Sequence, residues 1–289
     1  MRRRNWIVAA GAAGVAAAGA AYTSRGFIRS LQSGCGFPPP APPPQRNVTV
    51  SKTAFYSRIL KAQVGIVIID AQPEVSTADR LLIFALPGRD GAAAAHAAGL
   101  HLADYLGAAV RRHGLGGARM ILADSGSSYW HARRGGEDRM AMLIQEIVLP
   151  AISHTHAKRR NVAIIGWSMG AYGAFLAAEK YPELFGSVCG VSVAMWRSAR
   201  EQLSAVPDAF DDARDFDRND LRRGSFNLKN TRVRLACGEG DPFFPADQEF
   251  AEKLRDAGVG PQIAFSPGCH DDNFWQRSAP QDFAFLLGA

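Results

Sequence analysis

Acidic side chains are missing from the first 69 positions of this chain, since no Asp or Glu precedes Asp70. That absence locates the net charge of +6: Arg2, Arg3, Arg4, Arg25, Arg29 and Arg46 account for all of it, and the other 27 basic residues balance 27 acidic ones. A balanced body carries no electrostatic footprint for nucleic acid, so no nucleic-acid partner is expected. Internal repeats are also absent, and no second hydrophobic core is visible. With 289 residues, 47% hydrophobic and 21% charged, the chain is long enough for one large domain with a substantial core.

The apolar run from Trp6 to Tyr22 contains no leucine and is built from Ala and Gly, which insert poorly into a bilayer. Following Arg3-Arg4-Asn5-Trp6-Ile7, it resembles a twin-arginine export signal. Residues 1–24 are therefore expected to be an export signal or membrane anchor, which places the protein outside the cytoplasm, secreted or in the cell envelope. Cys35 lacks the leucine three positions upstream that a lipoprotein site prefers. Residues 25–46 form a linker whose Pro38-Pro39-Pro40-Ala41-Pro42-Pro43-Pro44 stretch favours polyproline II, and the folded domain is expected over 47–289.

Within that domain the hydrophobic period alternates. Thr49–Tyr56 and Val64–Asp70 read as early antiparallel strands. Leu81–Leu86, Met120–Ala123, Val162–Ile165, Val188–Val193, Val233–Cys237 and Ile263–Ser266 are short apolar runs of the kind buried in parallel sheets. Helical patterns separate them at Leu100–Arg112, Met140–Ser153, Tyr172–Lys180, Asp247–Ala257 and Gln276–Leu287. The expected fold class is α/β, a mostly parallel central sheet with helices on both faces.

Gly166-Trp167-Ser168-Met169-Gly170 fits a nucleophile elbow, in which a serine sits on a strained strand-to-helix turn and flanking glycines permit close packing. Alone the pattern is cheap. Its position after a buried-strand run and before a helix gives it weight. Serine needs a base and a group that orients the base, and in this arrangement both lie downstream, acid first. Only one histidine follows Ser168, and it is His270. In Gly238-Glu239-Gly240-Asp241-Pro242 the preferred acid is Asp241, set in a rigid turn, with Glu239 as the alternative. Asp271 and Asp272 are too near His270 in sequence and read as solvating their loop.

Two backbone N–H groups are expected to form an oxyanion hole: that of Met169, first in its helix, and that of Arg89 in Pro87-Gly88-Arg89-Asp90-Gly91. The Arg89 side chain reads as a solvated charge. Trp130 and Trp196 are expected either to line a substrate pocket or to pack beneath their loops. No cofactor is called for, and no metal site either, because His154 and His156 lack nearby carboxylate or cysteine ligands. Cys237 and Cys269 end up beside the acid and the histidine, so a disulfide tying the two loops is expected, with two buried thiols as the alternative.

These residues resemble the esterase D group of α/β-hydrolases, and more closely exported actinobacterial members related to the mycolyltransferase antigens of mycobacterial envelopes. The resemblance rests on Gly166 to Gly173, on Ser128-Tyr129-Trp130-His131 with Gly136-Glu137-Asp138, on Gly238 to Phe243 and on Gly268-Cys269-His270-Asp271. It implies an α/β-hydrolase fold and acyl-ester chemistry on a small-molecule or lipid ester, carried by Ser168, Asp241 and His270. Relatives usually have His-Gly where this chain has Pro87-Gly88. The leading expectation is a carboxylesterase for short or medium acyl chains. The alternatives are an acyltransferase of mycolyltransferase or diacylglycerol-acyltransferase type with the same triad, and a non-catalytic envelope-binding module.

Overall fold

A computed structural model describes residues 38–288 apart from 73, 77–79, 114–115 and 225. The expected export segment, residues 1–24, and Cys35 lie outside the described residues. Pro38 to Arg46 take up no regular secondary structure. The carbonyls of Pro44 and Arg46 accept from the Arg111 guanidinium at 3.3 and 2.6 Å, so the end of the linker lies along the domain.

An eight-stranded sheet organises the fold, with β1 (Val48–Ser57), β2 (Ala62–Ala71), β3 (Leu81–Leu86), β4 (Ala118–Ala123), β5 (Val162–Trp167), β6 (Ser187–Val191), β7 (Arg232–Gly238) and β8 (Gln262–Ser266). Their spatial order is β1-β2-β4-β3-β5-β6-β7-β8. β2 runs antiparallel to both β1 and β4, while every other pairing is parallel. Strands buried on both faces read as continuous apolar runs, as in Val162–Trp167, whose residues are all buried. The mostly parallel α/β sheet expected from the alternation is therefore present, in the α/β-hydrolase form that the resemblance implied.

Helices cover both faces. On one side α1 (Ala93–Gly99), α2 (Leu102–His113) and α8 (Asp272–Leu287) enclose a core that includes Ile83, Ala163, Ile165, Leu106 and Phe283. On the other, α3, α4 (Met169–Lys180) and α7 (Phe244–Asp256) pack Ile144, Phe175 and Phe250 on Phe84, Ile164 and Leu235. Helix α3 starts at Arg139–Ala141, continues as a π-helical segment over Met142–Val148 and ends with Leu149–Thr155. Asp138 caps its start by accepting the N–H of Ala141 at 2.8 Å. Two short helices absent from the sequence reading, α5 (Ala199–Ala205) and α6 (Ala213–Asn219), lie in the long excursion between β6 and β7.

An ion pair is sealed between the sheet and α8. Arg234 on β7 donates Nε–H to Asp282 Oδ1 on α8 at 2.7 Å, and both side chains are 2% exposed. Burial pushes the Asp282 carboxyl up, while Arg234 opposes that shift. Removing one member of such a pair leaves an uncompensated group in the core. Arg234→Met is expected to destabilise the domain by about 3–5 kcal/mol, whereas Arg234→Met with Asp282→Leu restores most of the loss. Urea unfolding of both variants measures this, and a single variant as stable as the wild type would refute it.

Candidate active site

The C-terminal ends of β3, β5, β7 and β8 deliver the site, at the sheet edge where open α/β folds bind their ligands. Ser168 stands between β5 and α4 with φ 56° and ψ −123°, a left-handed backbone that a residue with a Cβ rarely adopts. The neighbouring glycines explain how the turn closes. A Cβ on Gly166 would lie 2.1 Å from the Gly170 carbonyl oxygen, and one on Gly170 would lie 1.9 Å from that of Leu86. Strained turns of this kind cost roughly 1–3 kcal/mol. Ser168→Gly, which relieves the strain, is expected to raise stability by about 1 kcal/mol while removing the hydroxyl. A lower melting temperature than the wild type would contradict that account.

His270 occupies the loop between β8 and α8. Its Nε2 is 2.9 Å from Ser168 Oγ, and its Nδ1 is 2.8 Å from Asp241 Oδ2. Asp241 lies on the turn that leaves β7, and its other oxygen, Oδ1, accepts the N–H of Phe243 at 2.8 Å. Asp241 and His270 are 3% and 6% exposed, so acid and base are desolvated, whereas Ser168 is half-buried. Phe243 and Trp275 flank the imidazole edge-on, with ring centroids 5.2 and 5.3 Å away. Trp275 is held in turn by Nε1–H donation to Ser192 Oγ at 3.1 Å. Glu239, the alternative acid, is exposed and takes no place in the relay.

The two expected oxyanion donors sit on elements that meet at the serine. Met169 is the first residue of α4, so its N–H has no intrahelical acceptor. The Pro87-Gly88-Arg89 loop passes the serine closely enough that a Cβ on Gly88 would lie 3.5 Å from Ser168 Cβ. The side chain of Arg89 is not a free solvated charge: its Nη2 pairs with Asp208 at 2.5 Å and its Nη1 with Asp90 at 3.4 Å. Asp208 belongs to the β6–β7 excursion, which Arg133 and Arg134 also hold through Asp211 and Asp212. His131 completes that attachment, with its ring stacked on Phe210 at 4.7 Å.

Several expectations need correction. Trp130 is 0% exposed and packs against the Gly173 position of α4, so it belongs to the core and not to a pocket wall. Trp196 is 5% exposed, donates to the Tyr129 hydroxyl at 2.8 Å and abuts Phe243. It backs the aromatic that touches His270. Asp271 does more than solvate its loop, because it caps α8 by accepting the Phe274 N–H at 2.8 Å.

The Cys237–Cys269 bridge is not formed: Cys237 is a free buried thiol, whereas Cys269 is disulfide-bonded elsewhere. Cys237 is directed to the α7 side of the sheet, against the carboxyls of Asp241 and Asp247. Backbone contacts tie the two loops instead, with Glu239 N–H donating to Ser266 O at 2.9 Å and Gly240 N–H to Gly268 O at 2.8 Å. Sequence reasoning also missed Phe243, Trp275 and Ser192. A Phe directly after the Asp-Pro turn and a Trp five residues after the histidine were the available signals.

Residues 101–286 match the Esterase family, described as "Putative esterase", and the chain belongs to that family. Among solved structures it is similar to a ferulic acid esterase, with TM-score 0.70 and 18% identity over 84% of this chain and 98% of that one. It is also similar to the fluorophosphonate-binding serine hydrolase F of Staphylococcus aureus, with TM-score 0.69 and 14% identity over 84% and 99% of the two chains. An S-formylglutathione hydrolase from Agrobacterium tumefaciens matches with TM-score 0.65 and 15% identity, over 84% of this chain and 95% of that one. No curated protein sequence matches the chain. The protein is thus a member of the Esterase family with the α/β-hydrolase fold.

Proposed function

We propose that this protein is an exported carboxylesterase that cleaves short- or medium-chain acyl esters of small molecules or lipids through an acyl-serine intermediate. The observation that carries the reading is the continuous relay from Ser168 Oγ through the His270 ring to Asp241, at 2.9 and 2.8 Å. In it, His270 Nε2 takes the Ser168 proton as Oγ attacks the ester carbonyl carbon. Asp241 keeps the Nδ1–H tautomer and balances the imidazolium charge. The tetrahedral oxyanion is held by the N–H groups of Met169 and Arg89. Collapse breaks the ester C–O bond, and the departing alkoxide takes the proton from Nε2. Water then repeats the sequence on the acyl-serine and releases the acid.

Export rests on the sequence: the twin-arginine start and the alanine-rich run support it. Among the described residues, no helix is long and apolar enough to cross a membrane. The deciding experiment is fluorophosphonate labelling of the purified protein followed by peptide mapping. Adduct on Ser168 is the expected result, and an unlabelled protein would leave the non-catalytic reading standing. Product analysis with an aryl ester, with and without trehalose or diacylglycerol, separates the two enzymatic readings. Free acid should dominate in both mixtures, and transfer outrunning hydrolysis would overturn the esterase assignment.

A further inference from the structure

Behind the relay lies a second carboxyl that the proposed chemistry does not use. Asp247, in the first turn of α7, is 0% exposed. Its Oδ2 accepts the N–H of Val193 at 3.1 Å, on the segment that leaves β6. Its Oδ1 has no hydrogen-bond partner among the described residues. The Cys237 thiol, at the end of β7, lies against both the Asp247 and the Asp241 carboxyls as a weak sulfur contact.

This cluster touches the site from two directions. Val193 directly precedes Ala194, whose N–H donates to the Ser168 carbonyl at 3.2 Å, and follows Ser192, whose N–H donates to Ala236 O at 2.7 Å. Asp247 therefore joins the segment that braces the serine to the helix that starts just after Asp241. Among the described residues, the groups facing it are Asp241 from the β7 turn, Cys237 from β7 and the Val193 backbone, with His270 beyond Asp241 and no cation acting on it. Burial and the neighbouring Asp241 carboxyl both disfavour a charge on Asp247 in so dry a cluster. Asp241 has the imidazole to balance its charge and Asp247 has nothing comparable. Burial, reinforced by Asp241, accordingly pushes the Asp247 carboxyl well above the usual carboxylate range.

We propose that Asp247 is a positioning residue: as a neutral carboxylic acid it pins the Val193 segment to the start of α7, and it leaves Asp241 as the only anion available to His270. The role acts through Asp241 and Ser168, and it rests on the hydrolase reading given above. Asn reproduces a neutral acid in size and keeps an acceptor for Val193. Leu keeps the volume and removes the hydrogen bond.

The test compares wild type, Asp247→Asn and Asp247→Leu by aryl-ester kinetics across pH, with fluorophosphonate labelling of each. Asp247→Asn is expected to hold kcat within about threefold and to leave the acidic limb of the kcat/KM profile in place. Asp247→Leu should lower kcat at least tenfold with KM within about twofold, and should move that limb by half a pH unit or more. A merely structural role would lower the melting temperature without moving the profile of the folded enzyme. A folded Asp247→Leu variant with wild-type kcat and profile overturns the proposal, as does an Asp247→Asn variant as damaged as Asp247→Leu. Should Asp247→Leu not fold, Asp247→Asn decides alone: a tenfold loss or a shifted limb shows that an ionised carboxylate is required and overturns the idea. Near-wild-type behaviour supports it. A wild-type protein that fails to label would instead sink the hydrolase reading, so the two failures are distinguishable.

Discussion

Ser168→Ala is expected to lower ester turnover by roughly 10⁴- to 10⁶-fold and to abolish fluorophosphonate labelling, because triad members act as a unit. The residual rate comes from what the substitution leaves intact: the amides of Met169 and Arg89 and whatever binds the substrate. Folding should be nearly unaffected. Ser168 contributes a hydroxyl on an open turn, half-buried, and alanine keeps the same left-handed backbone with the same Cβ. Steady-state kinetics with an aryl ester, alongside urea unfolding, separates the two effects. Turnover within tenfold of the wild type in a folded Ser168→Ala protein would dismiss Ser168 as nucleophile.

Asp241→Asn should cost about 10⁴-fold in kcat, against no more than a few-fold for Glu239→Gln. The asymmetry follows from geometry. Asp241 Oδ1 is committed to the Phe243 N–H, so Oδ2 is the oxygen left for His270. In the asparagine variant the atom at that position is an NH₂ group, which donates to Nδ1 and places the ring proton on Nε2, where it blocks removal of the serine proton. Glu239 is exposed and bears on this only through its backbone, whose N–H bonds Ser266 O at 2.9 Å. Kinetic comparison of the two variants decides. The reverse ranking would transfer the acid to Glu239.

Much of this architecture was legible because the signals were short-range. The strand runs at Leu81–Leu86 and Val162–Ile165 fall on β3 and β5, since strands buried on both faces have few alternatives to an apolar run. Ser168, Asp241 and His270 came from chain order and loop position, and the folded chain brings all three together. What escaped depends on contacts between segments distant in sequence. Trp130 looked like a loop aromatic, yet its ring fills space left by the absent side chain of Gly173, a pairing that no local pattern announces. Cys237 and Cys269 do share neighbouring loops, but proximity does not fix direction, and the Cys237 side chain is turned towards α7. Helices α5 and α6, each seven residues long, carry too few apolar positions to define a period. Asp247 only opens the helical pattern Asp247–Ala257 in the sequence, and it is the crossing of β6, β7 and α7 that makes it a sealed acid.

Under the mechanism proposed above, the left-handed backbone at Ser168 sets heat resistance and activity against each other at a single position. Any screen that enriches for survival at high temperature without demanding turnover will tend to favour glycine there, since the same change that relaxes the turn deletes the reacting oxygen. In a population drifting without its substrate, loss of function at this codon would bring a small gain in folded protein, so the elbow is where decay into a silent relative is least opposed. An active serine at this position is therefore kept by demand for the chemistry, against the preference of the fold.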